Sequence, residues 1–598
     1  MKKALLVLIS ALMIFSLVSC GEKKEEVNAM EVKEPVAAEV KNPDTFVYGT
    51  IGTVATFDPA VAYDSASGNA MQHIYEKLVY YNRGELELVG VLAEEVPTMA
   101  NGGISADGKT YRFKIKKGVK FHDGSEMTPE DVEYSIERTM VVDVDGGPQW
   151  MYWLPLLNIG GSRDGDGNIE NDYSVIDPTV EVDGDYVVFH LYQPFEPFLG
   201  ILAGYWGGIV NKDFVIANGG WDGTGADMAR VNNPPTGEET LYEVANGTGP
   251  YKLDRWVKGD EIVVTRFEDY HGKKPALAKG IYKIVAEWST RKLMFLQGDL
   301  DYAYVEPNFY ADMDSEPGVV SQKDLPSLTI SGIQFNLATN DVDNPLLGSG
   351  TLDGNGVPSD FFADKNVRLA FVHAWDQETF TTDINNGFIM DPVAPFPYGL
   401  AYKNANQERL PYDLDKAAEY FKKAFGGKVW ENGFTLDLAY NDGNEVRGGG
   451  CRILAENINS INPKFKVNVR AVQWAEYLDL NKNKRMPLFF IGWAPDYPDP
   501  DNYADPFMAS WGYYPQKASY KNEEADKLVN LAKYSTDSEE RKNAYYRLQE
   551  IYVEDAVGIA NMQPLSRQYY RDWVKFDGGF FYQPVNQDVW NLLPYMSK

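Results

Sequence analysis

The sequence predicts an α/β protein. Two stretches carry that prediction. Residues 435–493 alternate strand and helix periods, and residues 105–140 run strand, turn, capped helix. A chain of 598 residues also exceeds what one domain usually needs.

In chain order, the first strand is expected near Thr45, where "TFVYGTIG" begins. In the second region Tyr111, Phe113 and Ile115 alternate as a strand does, and Asp123-Gly124 makes a turn. Thr128 suits a helix N-cap, Pro129 the first helical position, and Asp131 follows the cap by three. Val132, Ile136 and Met140 then share a helix face. His122, beside the turn and with no histidine near it, reads as structural.

Further on, Leu436, Leu438 and Tyr440 alternate within Thr435–Tyr440. Cys451, Leu454, Ala455, Ile458 and Ile461 recur at helical spacing. Phe465, Val467, Val469 and Ala471 alternate again. A short helix from Trp474 to about Leu480 and a strand Leu488–Trp493 complete β-α-β-α-β, the pattern of a sheet with helical crossovers. Cys451 falls on the inward helix face, which makes it core filler.

Composition narrows the function. Apolar content of 44% is ordinary for a globular chain, and 53 Gly with 33 Pro supply many turns. A formal net charge of −31 excludes nucleic acid as the expected partner, because that binding rests on Lys and Arg. It suits a cationic or zwitterionic ligand, or simply a solvated acidic surface. The two cysteines, Cys20 and Cys451, assemble neither a disulfide framework nor a cysteine metal site. Five histidines (His73, His122, His190, His271, His373) show no metal-ligand spacing. Asp164-Gly-Asp-Gly-Asn168 has the acids of a calcium loop, but Ile169 replaces the loop glycine and Val175 stands where glutamate belongs, so it reads as a turn. His-Glu-x-x-His and Gly-x-Ser-x-Gly motifs are missing. Ser289-Thr-Arg-Lys292 lacks the companion motifs of an acylating serine. A non-enzyme without cofactor or metal is expected.

The N-terminus has the layout of a secretory leader: Lys2 and Lys3, then an apolar run Ala4–Val18 too short for a typical membrane span. Leu17-Val-Ser-Cys20 resembles the bacterial lipobox, which implies cleavage after residue 19 and lipid on Cys20. Residues 20–44 are rich in charge and read as a flexible tether. The expected location is the cell envelope, outside the cytoplasm and lipid-anchored.

A broader resemblance rests on several segments together. "YRFKIKKGVKFHDGSEMTPEDVEYSIER" resembles the signature of the oligopeptide- and dipeptide-type solute-binding proteins of ABC importers, extracellular family 5. "GTGPYKLDRWVKGDEIVVTRFEDYHGKKP", "STRKLMFLQGDLDYAYV", "FNLAT" with "NVRLAFVHAWD", and "YDLDKAAEYFKKAF" are similar too. Residues 141–172 and 340–362 look like insertions. The resemblance implies a two-lobed clamp of the periplasmic-binding-protein type with a small extra α+β domain. Lobe I would take 45–88, 181–285 and 563–598, the extra domain 89–180, and lobe II 286–562. The crossings are expected near Tyr282–Thr290 and Ile559–Gln563. It also implies a monomer that hands peptides to importer transmembrane subunits; an oligosaccharide is the alternative ligand, since 13% aromatics offer stacking surfaces.

The candidate site is "GWAPDYPDPDN", Gly492–Asn502, which leaves the strand Leu488–Trp493. A loop after a sheet strand is where a crevice ligand meets an α/β protein, and proline limits the entropy lost in fixing it. By resemblance Asp496 binds a peptide α-amino group, Gly492 and Ala494 offer backbone bonds, Trp493 walls the cleft, and Tyr497 is a further contact. Asp499 and Asp501 are expected to be solvated. The strand before the loop lacks the arginine of some oligopeptide binders. Arg447 is therefore the candidate partner for a ligand carboxylate; Arg368 is expected to make a structural pair near Asp376. Tyr63 and Ser65, in "FDPAVAYDSAS", are expected at the cleft.

Overall fold

The computed structural model describes residues 40–585 and 588–598. The leader, Cys20 and the tether as far as residue 39 lie outside the described residues. No described helix is long and apolar enough to cross a membrane.

The strands described, in chain order, are β1 (Thr45–Thr50), β2 (Val79–Tyr81), β3 (Leu88–Gly90), β4 (Thr110–Lys114), β5 (Val180–Asp183), β6 (Tyr186–His190), β7 (Tyr251–Val257), β8 (Glu261–Arg266), β9 (Lys279–Ile284), β10 (Tyr302–Ala303), β11 (Val319–Pro326), β12 (Ile330–Phe335), β13 (Ile389–Met390), β14 (Phe434–Asn441), β15 (Phe465–Val472), β16 (Leu488–Trp493), β17 (Gly558–Arg571), β18 (Lys575–Phe576) and β19 (Met596–Ser597). Twelve of these link into one hydrogen-bonded system in the order β15-β14-β16-β12-β17-β10-β1-β9-β8-β7, with β11 and β13 also on β17. The long β17 is the shared element. Its first residues pair with β12, Gln563 and Pro564 pair with β13, and Leu565–Arg571 pair with β11.

The β-α-β-α-β region folds as its periods predict. β14, β15 and β16 are parallel, and β14 lies between the other two. Both faces of β16 are covered. Leu488 and Phe490 enter one core, Phe489 and Ile491 another, which is why the strand reads as a continuous apolar run. The first crossover helix spans Glu445–Ile461 and includes Gly448, Gly449 and Gly450. Three glycines ordinarily weaken a helix; here a Cβ would lie within 3 Å of Tyr440, Ile384, or Phe380 and Phe490, respectively. Close packing has taken the place of propensity. Cys451 is buried on this helix, and burial pushes its thiol well above the usual range.

The helix Pro129–Val142 starts as its sequence predicts: the Asp131 carboxylate accepts the Thr128 backbone N–H and hydroxyl at 2.9 Å each. Val132, Ile136 and Met140 are all buried. His122 bonds the Gly249 carbonyl at 3.0 Å, and burial pulls its imidazole down to about 4. Asp164 accepts the backbone N–H groups of Asp166 and Asn168 at 2.9 and 2.8 Å, the geometry of a turn closed on itself.

Strand pairing shows where the chain changes sheet partners, and one side-chain expectation needs correction. β9 and β10 both pair with β1. The change falls between β11 and β12, at 326–330, and again along β17. The three-stranded sheet β4-β6-β5 runs from Thr110 to His190, and its residues share one core with β1. Arg368 makes no pair with Asp376. It donates to the carbonyls of Phe362, Ala363, Asp555 and Ala556, and Asp376 caps the next short helix.

Candidate functional site

β14 leads to β15 on one side, while β16 lies on the other. The loops that leave β14 and β16 therefore diverge at a topological switch point, where α/β sheets form a crevice. β17 runs antiparallel to β12 and to β10, and β1 is parallel to β10. The C-terminal ends of β1 and β10 thus point toward the C-terminal ends of β14 and β16. A cavity of about 950 Å³ opens there. Tyr63, Ser65 and Tyr304 line it from one side, Asn444, Ala494 and Asp496 from the other, and the Met562–Gln568 part of β17 also borders it.

The loop Gly492–Asn502 is held by Asn502. Its amide oxygen accepts the Asp496 backbone N–H at 3.0 Å and the Trp493 indole N–H at 3.1 Å. Its amide nitrogen donates to the Asp496 carboxylate at 3.2 Å. The second Asp496 oxygen accepts the Tyr63 hydroxyl at 2.7 Å from across the cavity. Tyr63 in turn accepts the Trp150 indole N–H at 3.3 Å. Desolvation raises the Asp496 pKa above the ordinary carboxylate value, and the bonds from Tyr63 and Asn502 oppose that shift only in part. Its side-chain donors are neutral, so the carboxylate's charge is hydrogen-bonded without being neutralised.

Of the expected contacts, Tyr63, Ser65, Ala494 and Asp496 meet in this cavity. Gly492, Trp493, Tyr497 and Arg447 do not line it. The Gly492 carbonyl is taken by the Tyr514 hydroxyl at 2.8 Å. Trp493 packs behind the loop on Phe507, Tyr513 and Tyr514. Tyr497 is buried in the core shared with β1, its hydroxyl donating to Asp501 at 2.9 Å. The loop thereby plants an aromatic anchor in the opposite half of the molecule. Arg447 lies beneath Gly492, bonded to Asn441 at 2.8 Å, and burial lowers its pKa.

Asp499 and Asp501 are not solvated, contrary to expectation. Both Asp499 oxygens accept from Arg541 at 2.9 Å. Asp501 is buried, and desolvation raises its pKa against the pull of Lys533. Asp499 also accepts the Asp501 backbone N–H at 2.9 Å where the helix Asp501–Met508 begins, so the acidic stretch divides into one cavity carboxylate and two structural ones.

The structure adds lining residues that sequence reasoning missed. Asp588 borders the cavity, bonded by Tyr48, by Asn69 at 2.9 Å and by the Trp590 N–H at 2.9 Å. Burial pushes its carboxyl up to about 6. Tyr205, Tyr304 and Arg452 also face the cavity. Nothing local in sequence marks Asp588 and Asn69 as neighbours. A polar residue before the helix at Glu445 was the available signal for Asn444.

The family model described as bacterial extracellular solute-binding proteins, family 5 Middle, matches residues 87–515. The chain is 24% identical over 564 residues to the probable D,D-dipeptide-binding periplasmic protein DdpA of Escherichia coli (strain K12), covering 93% of this chain and 95% of that one. Its fold matches the periplasmic binding protein DppA from Helicobacter pylori in complex with the peptide STSA, with a TM-score of 0.69, 24% identity, and 93% and 98% of the two chains covered. It also matches the oligopeptide-binding protein AppA from Bacillus subtilis in complex with a nonapeptide, with a TM-score of 0.66, 22% identity, and 94% and 99% covered.

Proposed function

The chain belongs to the bacterial extracellular solute-binding proteins of family 5, and from that premise we propose that it captures peptides between two lobes and delivers them to an ABC importer. The observation that carries the peptide reading is Asp496. A desolvated carboxylate with neutral side-chain donors stands at the edge of a cavity of about 950 Å³. A ligand ammonium completes that charge, and a neutral ligand does not. Relatives named for dipeptides and oligopeptides support the ligand class.

In this reading β1 and β7–β11 belong to one lobe and β12–β16 to the other. The segments 326–330 and 562–565 are the hinge between them. Ligand bridging both lobes shifts the population toward the closed form. The protein does no chemistry; energy comes from the importer.

Mass spectrometry of the natively purified protein tests this: peptides are expected to co-purify, and added peptide should raise the melting temperature with log concentration once above Kd. Peptide turnover by the pure protein, or an exclusively uncharged co-purifying ligand, overturns it. The anchor has its own test. Wild-type protein should take up lipid label and sediment with membranes, whereas Cys20→Ser should not; equal labelling of both rejects Cys20 as the lipid site.

A further inference from the structure

A second cavity, about 780 Å³, lies beside the first. Gln72, Tyr80 and Tyr81 line both and form the partition. Among its lining residues is Lys77, whose side chain is buried at 3% exposure. The Lys77 ammonium donates to the Gln72 amide oxygen at 2.8 Å and lies 5.3 Å from the Tyr80 ring centre. No described carboxylate pairs with it within 4 Å.

The other charges of the cavity are already engaged. From Lys77's own segment, Glu76 accepts Thr248, Tyr270 and His271 at 2.9, 2.8 and 2.8 Å. His73 is bound to the Trp590 carbonyl at 2.7 Å. Arg83, beyond β2, bonds the Asp577 carbonyl and stacks on Tyr595. Beyond β3, Glu94 pairs with Lys114, Lys117 with Asp185, and Lys116 donates to the Val91 carbonyl. Lys77 is therefore the fully buried ammonium of this cavity, held by a single neutral acceptor, whereas Lys116, on the Val91 carbonyl, is only half-buried. The walls beside it, Tyr80, Tyr81, Tyr270, Phe581 and Tyr595, are aromatic.

We propose that this cavity binds a small amphiphilic monocarboxylate, its carboxylate on the Lys77 ammonium and its hydrocarbon part against the tyrosine and phenylalanine rings. A monoanion matches one buried cation. A phosphate dianion would leave charge unpaired in a cavity that also holds Glu76. Burial lowers Lys77 to about 7, against a weaker pull from Glu76. A bound carboxylate favours the charged form, so binding above pH 7 should take up a proton.

Phenylacetate is the probe, titrated calorimetrically into the full chain in buffers of different ionisation enthalpy. Proton uptake is expected at pH 8.5 and should fade toward pH 6. Lys77→Met should weaken binding roughly tenfold or more, the scale of a charge-assisted bond. Lys77→Arg should bind without proton uptake, because guanidinium stays charged. Asp496→Asn should leave phenylacetate binding unchanged, which separates this site from the peptide cleft. The proposal is overturned if phenylacetate fails to bind wild type at millimolar concentration or binds Lys77→Met equally well. It is also overturned if 2-phenylethanol binds as well as phenylacetate, or if inorganic phosphate binds in its place.

Discussion

Asp496→Asn is expected to lower affinity for an unmodified peptide by roughly thirtyfold or more. The substitution keeps the shape and removes the charge. Truncating one partner of a desolvated charged pair typically costs about 2–5 kcal/mol, and about 1.4 kcal/mol is tenfold. The Tyr63 and Asn502 contacts show that the carboxylate already has neutral donors, so a ligand ammonium would supply charge rather than a first hydrogen bond. N-acetylated peptide should bind wild type poorly, and that penalty should shrink in Asp496→Asn. Calorimetry on the four combinations measures the coupling. Equal acetylation penalties in both proteins remove Asp496 from the amine site. A pH series adds a sign. Desolvation raises the free carboxyl above its usual range, and an ammonium favours its ionised form. Peptide affinity should therefore fall as pH descends through the raised value, and flatten in Asp496→Asn. Asp499→Asn belongs to a different class: it breaks the pair with Arg541 and is expected to cost stability as well.

Arg138→Met has the largest expected effect on stability, about 3–5 kcal/mol, out of the roughly 5–15 kcal/mol typical of a domain. The Arg138 guanidinium grips both oxygens of Asp58 at 2.8 and 2.5 Å, and both side chains are buried. Asp58 also accepts the N–H groups of Ala60 and Leu241 at 3.0 and 3.3 Å. Removing the arginine strands a carboxylate in the core. The pair also ties the helix Pro129–Val142 to the segment that goes on to Tyr63 and Ser65, so ligand affinity should weaken along with the fold. Urea unfolding at neutral pH reads the loss. Adding Asp58→Leu should restore much of it, because the uncompensated charge is then gone. A single-variant loss under about 0.5 kcal/mol would refute the account.

Much of the architecture is legible in the chain because its causes are local. The alternation at 435–440 and 465–471, and the run at 488–493, mark β14, β15 and β16 to within a residue or two. The Thr128-Pro129-Asp131 signature marks a helix start through bonds spanning three residues. The helix Glu445–Ile461 was legible only from Cys451 onward. Its glycines follow from contacts with Ile384, Phe380 and Phe490, which no local period reports.

The site divides along the same line. Residue types and proline content already single out Gly492–Asn502, and resemblance singles out Asp496 within it. Which of its aspartates meets the cavity is a tertiary matter. Asp499 is claimed by Arg541, Asp501 by Tyr497 and Lys533, and Asp496 by the distant Tyr63. An exposed turn and a buried charge network have the same local sequence, because desolvation depends on what packs above the loop. The sequence by itself determined strand order in time along the chain, the acidic balance and the family pattern. Only the tertiary structure decided that the partners change along β17, that Tyr497 anchors the loop across the cavity, and that Arg447 stands behind the wall. Each of these depends on contacts between residues far apart in the chain, where periodicity carries no information.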